Sequence, residues 1–132
     1  MVMRSTIAFL ALVLAASLSI SCSRTGFSIA ASPSSVVREM YTKCNTGQYS
    51  EVEPLLSTDF QSLVHRAGVG VRGICDDETR QSTVTGIDVV SEEIKGEGAK
   101  VVVNIHFKDV TNERHKSIPL IKEKGSWKIA VH

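Results

Sequence analysis

The chain has 132 residues, of which 42% are apolar, 22% charged and 5% aromatic. That length and balance fit one globular domain and exclude a disordered or fibrous chain. Fifteen basic against 14 acidic residues leave a formal charge of +1, which excludes a strongly basic nucleic-acid binder. No repeat, Pro-rich tract or long charge run points to a solenoid or a linker.

Met1-Val2-Met3-Arg4 carries one positive charge, and Ile7 to Ile20 is then a run of 14 uncharged residues. At about 1.5 Å per residue the run reaches about 21 Å, short of the roughly 30 Å hydrocarbon core of a bilayer. Residues 1–21 therefore read as a secretory signal, with an uncleaved N-terminal anchor as the alternative. Leu18-Ser19-Ile20-Ser21-Cys22 resembles the lipobox of bacterial lipoproteins, with Ser19 where Leu is usual. The resemblance implies removal of the signal before Cys22, the small Ser21 admitting the peptidase, and lipidation of the Cys22 thiol. Stable anchoring needs two or more acyl chains, and lipoprotein maturation supplies three. Ordinary cleavage near Ala30-Ala31-Ser32 is the other route. Loss of Arg4 with the signal leaves 14 basic and 14 acidic residues. Residues 22–32 then form the lipidated Cys and a flexible tether of small, mostly polar residues. The expected location is the cell envelope, with residues 33–132 facing the periplasm or the exterior.

The three cysteines are Cys22, Cys44 and Cys75. With Cys22 lipidated, the even remainder in an oxidising compartment suggests a Cys44–Cys75 disulfide. The loop it closes, about 31 residues, would contribute roughly 3–4 kcal/mol. Two separately buried thiols are the alternative. No CxxC or HxxxH pair suggests zinc, so no metal and no cofactor is expected.

Ser32-Pro33 opens a helix predicted over 33–45, with Ser as N-cap and Pro at the first helical position. Val36, Met40 and Cys44, with Val37 and Tyr41 beside them, form one apolar stripe, and Gly47 follows its end. Ser50-Glu51-Val52-Glu53 is a capping-box pattern for a short helix limited by Pro54. Thr58-Asp59 is expected to cap a third segment with Phe60, Leu63 and Val64. Gly68-x-Gly70-x-x-Gly73 matches the dinucleotide fingerprint as a string but lacks its strand–turn–helix setting. Residues 67–73 therefore read as an irregular loop.

From Ser82 the period changes to two. Val84–Ile94 is a predicted strand, with Ile87 and Val89 on one face. Gly96-Glu97-Gly98 turns the chain. Val101, Val103, Ile105 and Phe107 then alternate with Val102, Asn104, His106 and Lys108. Thr111-Asn112-Glu113 is expected to turn again. Ser117–Lys122 is a third strand, in which Pro119 suggests an edge or a bulge. Lys124-Gly125-Ser126 leads into a fourth strand with Trp127, Ile129 and Val131 on one face. Helices followed by a four-stranded antiparallel meander make the fold class α+β, with the helices on one face of the sheet.

This order resembles the nuclear transport factor 2-like (cystatin-like) superfamily. More narrowly, residues 33–132 resemble a bacterial lipoprotein family of unknown function, also called lumazine-binding-like. The resemblance rests on Ser35–Tyr41 with Gly47 behind it, on Ile74-Cys75, and on Gly125-Ser126-Trp127-Lys128-Ile129. It implies a bent sheet forming a cone over the helices, and the superfamily commonly dimerises through the sheet.

Enzymes of that superfamily place an acid or a His of tuned pKa inside the cone. The candidates are Asn104, His106, Asp88 and His65. The apolar set Val101, Val103, Ile105 and Phe107 claims the covered face, so His106 is expected at the surface. No carboxylate–His pair is recognisable from spacing, and no catalytic residue is assigned. Asp76-Asp77-Glu78 reads as a solvated turn or a helix cap. The resulting expectation is a lipid-anchored, non-enzymatic binding or accessory module. It would take a small apolar ligand or an envelope protein in the cone, or at the exposed sheet face with Lys100, Asn104, His106 and Lys108. The alternative is an isomerase- or cyclase-like enzyme using a cone-buried acid or His.

Overall fold

A computed structural model of the chain describes residues 31–80 and 82–131. The expected signal peptide, Cys22, most of the tether and His132 lie outside the described residues. Helix α1 spans Pro33–Asn45, the predicted bounds. Ser32 caps it by accepting from the Ser35 N–H at 3.2 Å, and Gly47 takes φ +71° just beyond its end. Val36, Val37, Met40, Tyr41 and Cys44 form its buried stripe.

The next helices differ in detail from expectation. Helix α2 is Tyr49–Val52, with Gln48 before it and no side-chain cap, so Ser50 sits inside the helix. The Gln48 N–H still bonds the Lys43 carbonyl at 3.0 Å, so the closing turn of α1 runs straight into α2. A single turn of 3-10 helix at Glu53–Leu55 carries Pro54. Helix α3, Thr58–Ala67, is capped by the buried Ser57, which accepts from the Phe60 N–H at 3.2 Å. Thr58 instead donates its N–H and hydroxyl to Glu123, at 2.9 and 2.8 Å. Those bonds, the backbone one foremost, hold the Glu123 carboxyl below the usual carboxylate range.

The expected irregular loop is largely a helix. Gly68 ends α3 at φ +67°, Gly70 follows at φ +70°, and α4 runs Gly70–Thr79. Tertiary packing decides this, because α4 contacts α1, α2 and α3 and its Cys75 is 1% exposed. Cys75 is joined to Cys44 by a disulfide, with Cα atoms 5.2 Å apart and a separation of 31 positions in sequence. Among the described residues no helix is long and apolar enough to cross a membrane.

Strands β1 (Val84–Lys95), β2 (Gly98–Phe107), β3 (Val110–Glu123) and β4 (Ser126–Ile129) form one antiparallel sheet in chain order. This is the expected α+β meander. The β2–β3 turn is Lys108–Asp109 rather than Thr111–Glu113. Lys108 still donates its N–H to Thr83 at 2.9 Å, and Val110 already pairs with Phe107, so two residues are left to turn. The turn-forming triplet is absorbed as an irregularity between the Phe107–Val110 and Ile105–Arg114 pairs. Strand β3 therefore starts earlier than predicted. Pro119 sits inside it, and its carbonyl accepts from Ala130 at 2.9 Å where the β4 ladder ends. Its missing N–H thus falls at the end of a strand pairing.

Val101, Val103 and Ile105 are fully buried, and Phe107, Ile118, Leu120, Trp127 and Ile129 join them in the core. Helix α1 also guards the free edge of β1. The Ser34 N–H bonds Glu92, Arg38 donates to the Ile87 carbonyl at 2.7 Å, and Asn45 makes two bonds to the Val84 backbone. At the opposite edge, Ser57 donates to the Ile129 carbonyl at 2.8 Å beside a parallel Leu56–Ile129 bridge.

Candidate functional site

The cone is filled where α1 crosses the sheet, since Tyr41, Val37, Val101, Val103 and Ile105 are all 1% exposed or less. Towards β4 it is not. A recess of about 170 Å³ opens between α1, α3, α4, the middle of β3 and the end of β4. Met40, Phe60, Ile74, Ile118 and Ile129 supply its apolar wall, and Glu78 and Lys116 its charged end.

Helical spacing explains the wall on α4. Ile74 and Glu78 are four apart and share a side of the helix. Cys75, between them in sequence, ties that helix to α1. Period-two alternation explains the wall on β3. Ile118 and Leu120 are buried, so Lys116 and Arg114 fall on the same face, paired with the buried Val103 and Ile105.

Glu78 is engaged through both oxygens. Tyr41 donates its hydroxyl to Oε2 at 2.7 Å, and the Lys116 ammonium contacts Oε1. The side chains of Glu78 and Lys116 are 13% and 22% exposed. Burial pushes the Tyr41 phenol far above its ordinary range. The Glu78 charge and its hydrogen bond push further in the same direction, and the Arg114 charge opposes them. Tyr41 is therefore a neutral donor to a carboxylate at physiological pH.

The sequence candidates lie elsewhere. Asn104 and His106 are on the other face of β2, as the alternation required. His106 Nε2 meets Asp88 Oδ2 at 2.6 Å, and its Nδ1 lies 3.6 Å from Glu113. His115 Nδ1 meets Asn104 Oδ1 at 2.7 Å. This face therefore gathers Asp88, Asn104, His106, Glu113 and His115, exposed or half-buried, away from the recess. His65 is exposed on α3, 3.0 Å from Glu53. Among the described residues no three His, Cys, Asp or Glu side chains are placed to hold a metal ion.

Glu78 corrects the reading of Asp76-Asp77-Glu78 as a solvated turn or cap, because all three lie within α4 and Glu78 turns inward. Lys116 and Tyr41 carried no motif. Starting the third strand at Ser117 hid Lys116, although alternation back from Ile118 would have placed it on the covered face.

No protein-family profile matches the chain, and no curated protein does. Solved structures do. One is a Campylobacter jejuni protein provisionally named an NTF2-like transpeptidase, with a TM-score of 0.58 and 16% identity over 76% of this chain and 98% of that one. Another is a SEC-C motif-containing protein from Rhodopseudomonas palustris, with a TM-score of 0.62 and 16% identity over 76% of this chain and 77% of that one. At that identity the likeness is one of fold: helices covering one face of an antiparallel meander, in the nuclear transport factor 2-like arrangement.

Proposed function

We propose that this protein is a lipid-anchored, non-enzymatic binding module of the cell envelope that seats one small apolar group in the recess of its cone. The recess supports the binding half of this reading, and the apolar N-terminal run ending at Cys22 supports the anchor. Its volume, about 170 Å³, is below the roughly 300 Å³ at which pockets for drug-sized ligands begin. It is close to the roughly 150 Å³ apolar cavity that accepts a benzene molecule. A single ring or branched aliphatic group fits that size.

The competing reading is an enzyme with an acid inside the cone. Glu78 is the carboxylate in the recess, and this favours that alternative enough to weigh it. A general base is aimed at the proton it takes from the substrate. Glu78 is aimed instead at two partners within the protein, the Tyr41 hydroxyl on one oxygen and the Lys116 ammonium on the other, which supports a structural and binding role.

Two experiments test the two halves. Cys22→Ala should move the protein from the membrane to the soluble fraction, and unchanged membrane association would end the anchor argument. Toluene titrated into the purified full chain should shift the methyl resonances of Ile74, Ile118 and Ile129. Unmoved methyls at toluene saturation would end the recess argument.

A further inference from the structure

Glu78 and Lys116 balance each other within the recess, while Arg114 on the adjoining stretch of β3 adds a cation that no described carboxylate pairs, and this names the ligand more closely. Glu78 is the single carboxylate among the described residues that line it, and each of its oxygens already has a partner. Lys116 has three N–H donors and one described acceptor, Glu78. Arg114, two residues along the same face of β3, makes no ion pair or hydrogen bond among the described residues. The neighbouring Asp77 is exposed and lines a separate hollow with Asp76 and Arg80. What the recess and the stretch of β3 beyond its charged end have to spare is therefore cationic donors beside an apolar wall.

We propose that the recess takes a small aromatic or branched-aliphatic carboxylate. Its apolar body sits against Met40, Phe60, Ile74 and Ile118, and its carboxylate bonds the Lys116 ammonium, with Arg114 as the second cation. This rests on the recess being the binding site. The carboxylate is favoured over a neutral acceptor because its full negative charge adds Coulomb attraction to the Lys116 ammonium and the Arg114 guanidinium. An amine is disfavoured because its charge would be repelled by the Lys116 ammonium and the Arg114 guanidinium, while Glu78 is held between Tyr41 and Lys116.

Benzoate, toluene and benzylamine, titrated separately into the purified full chain and read on the isoleucine methyls, test it. Benzoate should bind about tenfold more tightly than toluene, and benzylamine more weakly than either. Lys116→Met should bring benzoate down to the affinity of toluene, whereas Lys116→Arg should keep the preference. If Lys116→Met does not fold, Arg114→Gln serves, with benzoate weakened by about threefold. Benzoate binding no tighter than toluene, or benzylamine binding tightest, overturns the carboxylate proposal and leaves the apolar recess standing. Failure of all three to bind overturns both.

Discussion

The two faces of the sheet use the same kinds of side chain to different ends. On the covered face, Glu78, Lys116 and Tyr41 form one connected cluster at the edge of the core. On the open face, the His106–Asp88 and His115–Asn104 contacts are just as short, with Glu113 beside them at 3.6 Å from His106. Burial separates them. The covered cluster is mostly shielded, and losing one member leaves the others short of a partner in a poorly solvated place. The open cluster is wet, and water replaces whatever is removed. Contact distance alone therefore does not show which polar group matters.

The largest expected effect on this contrast comes from the bond that positions the covered cluster. Reduction of Cys44–Cys75, or replacement of both by Ser, should cost about 3–4 kcal/mol by loop-closure entropy. Chemical denaturation with and without reductant measures it, and an unchanged midpoint would show that packing alone seats α4.

Glu78→Ala should cost about 2–3 kcal/mol, because it strands the Tyr41 hydroxyl and the Lys116 ammonium together. The double variant Glu78→Leu/Lys116→Met should recover much of that loss, and a double-mutant cycle reads the coupling.

Alkaline pH probes the same cluster through Tyr41. The folded-state pKa of this phenol is raised, so the stability tied to its neutral form is fully present below about pH 10, the ordinary phenol value. That stability falls as pH rises beyond it, by up to about 1.4 kcal/mol per pH unit. Tyr41→Phe should flatten this fall, and equal slopes in both proteins above pH 10 would contradict the assignment.

The smallest effect belongs to the open face. His106→Ala should change stability by no more than about 0.5 kcal/mol. A loss as large as that of Glu78→Ala would erase the distinction between the faces.

Much of the fold was legible because its signals are local. Ser32, Pro33 and the stripe Val36–Met40–Cys44 specify α1 within a few turns of chain. Val101–Phe107 shows its two faces by alternation alone. Helix α4 was not legible, because its glycines and acids favour a loop in isolation and a helix only when packed on α1, α2 and α3. The Thr111–Glu113 triplet has turn chemistry, but the pairing of Val110 with Phe107 turned the chain first.

The chain by itself determined the order of helices and strands, the buried side of β2 and the small set of cysteines able to pair. Each of these depends on residues near one another in sequence or on simple parity. Only the tertiary structure decided the recess. Its charged end joins Glu78 on a helix to Lys116 on a strand 38 residues later, with Tyr41 37 residues before Glu78. No local pattern encodes such a meeting. It exists because a helix and a sheet that each need to cover an apolar face were brought together, and that packing left one corner unfilled.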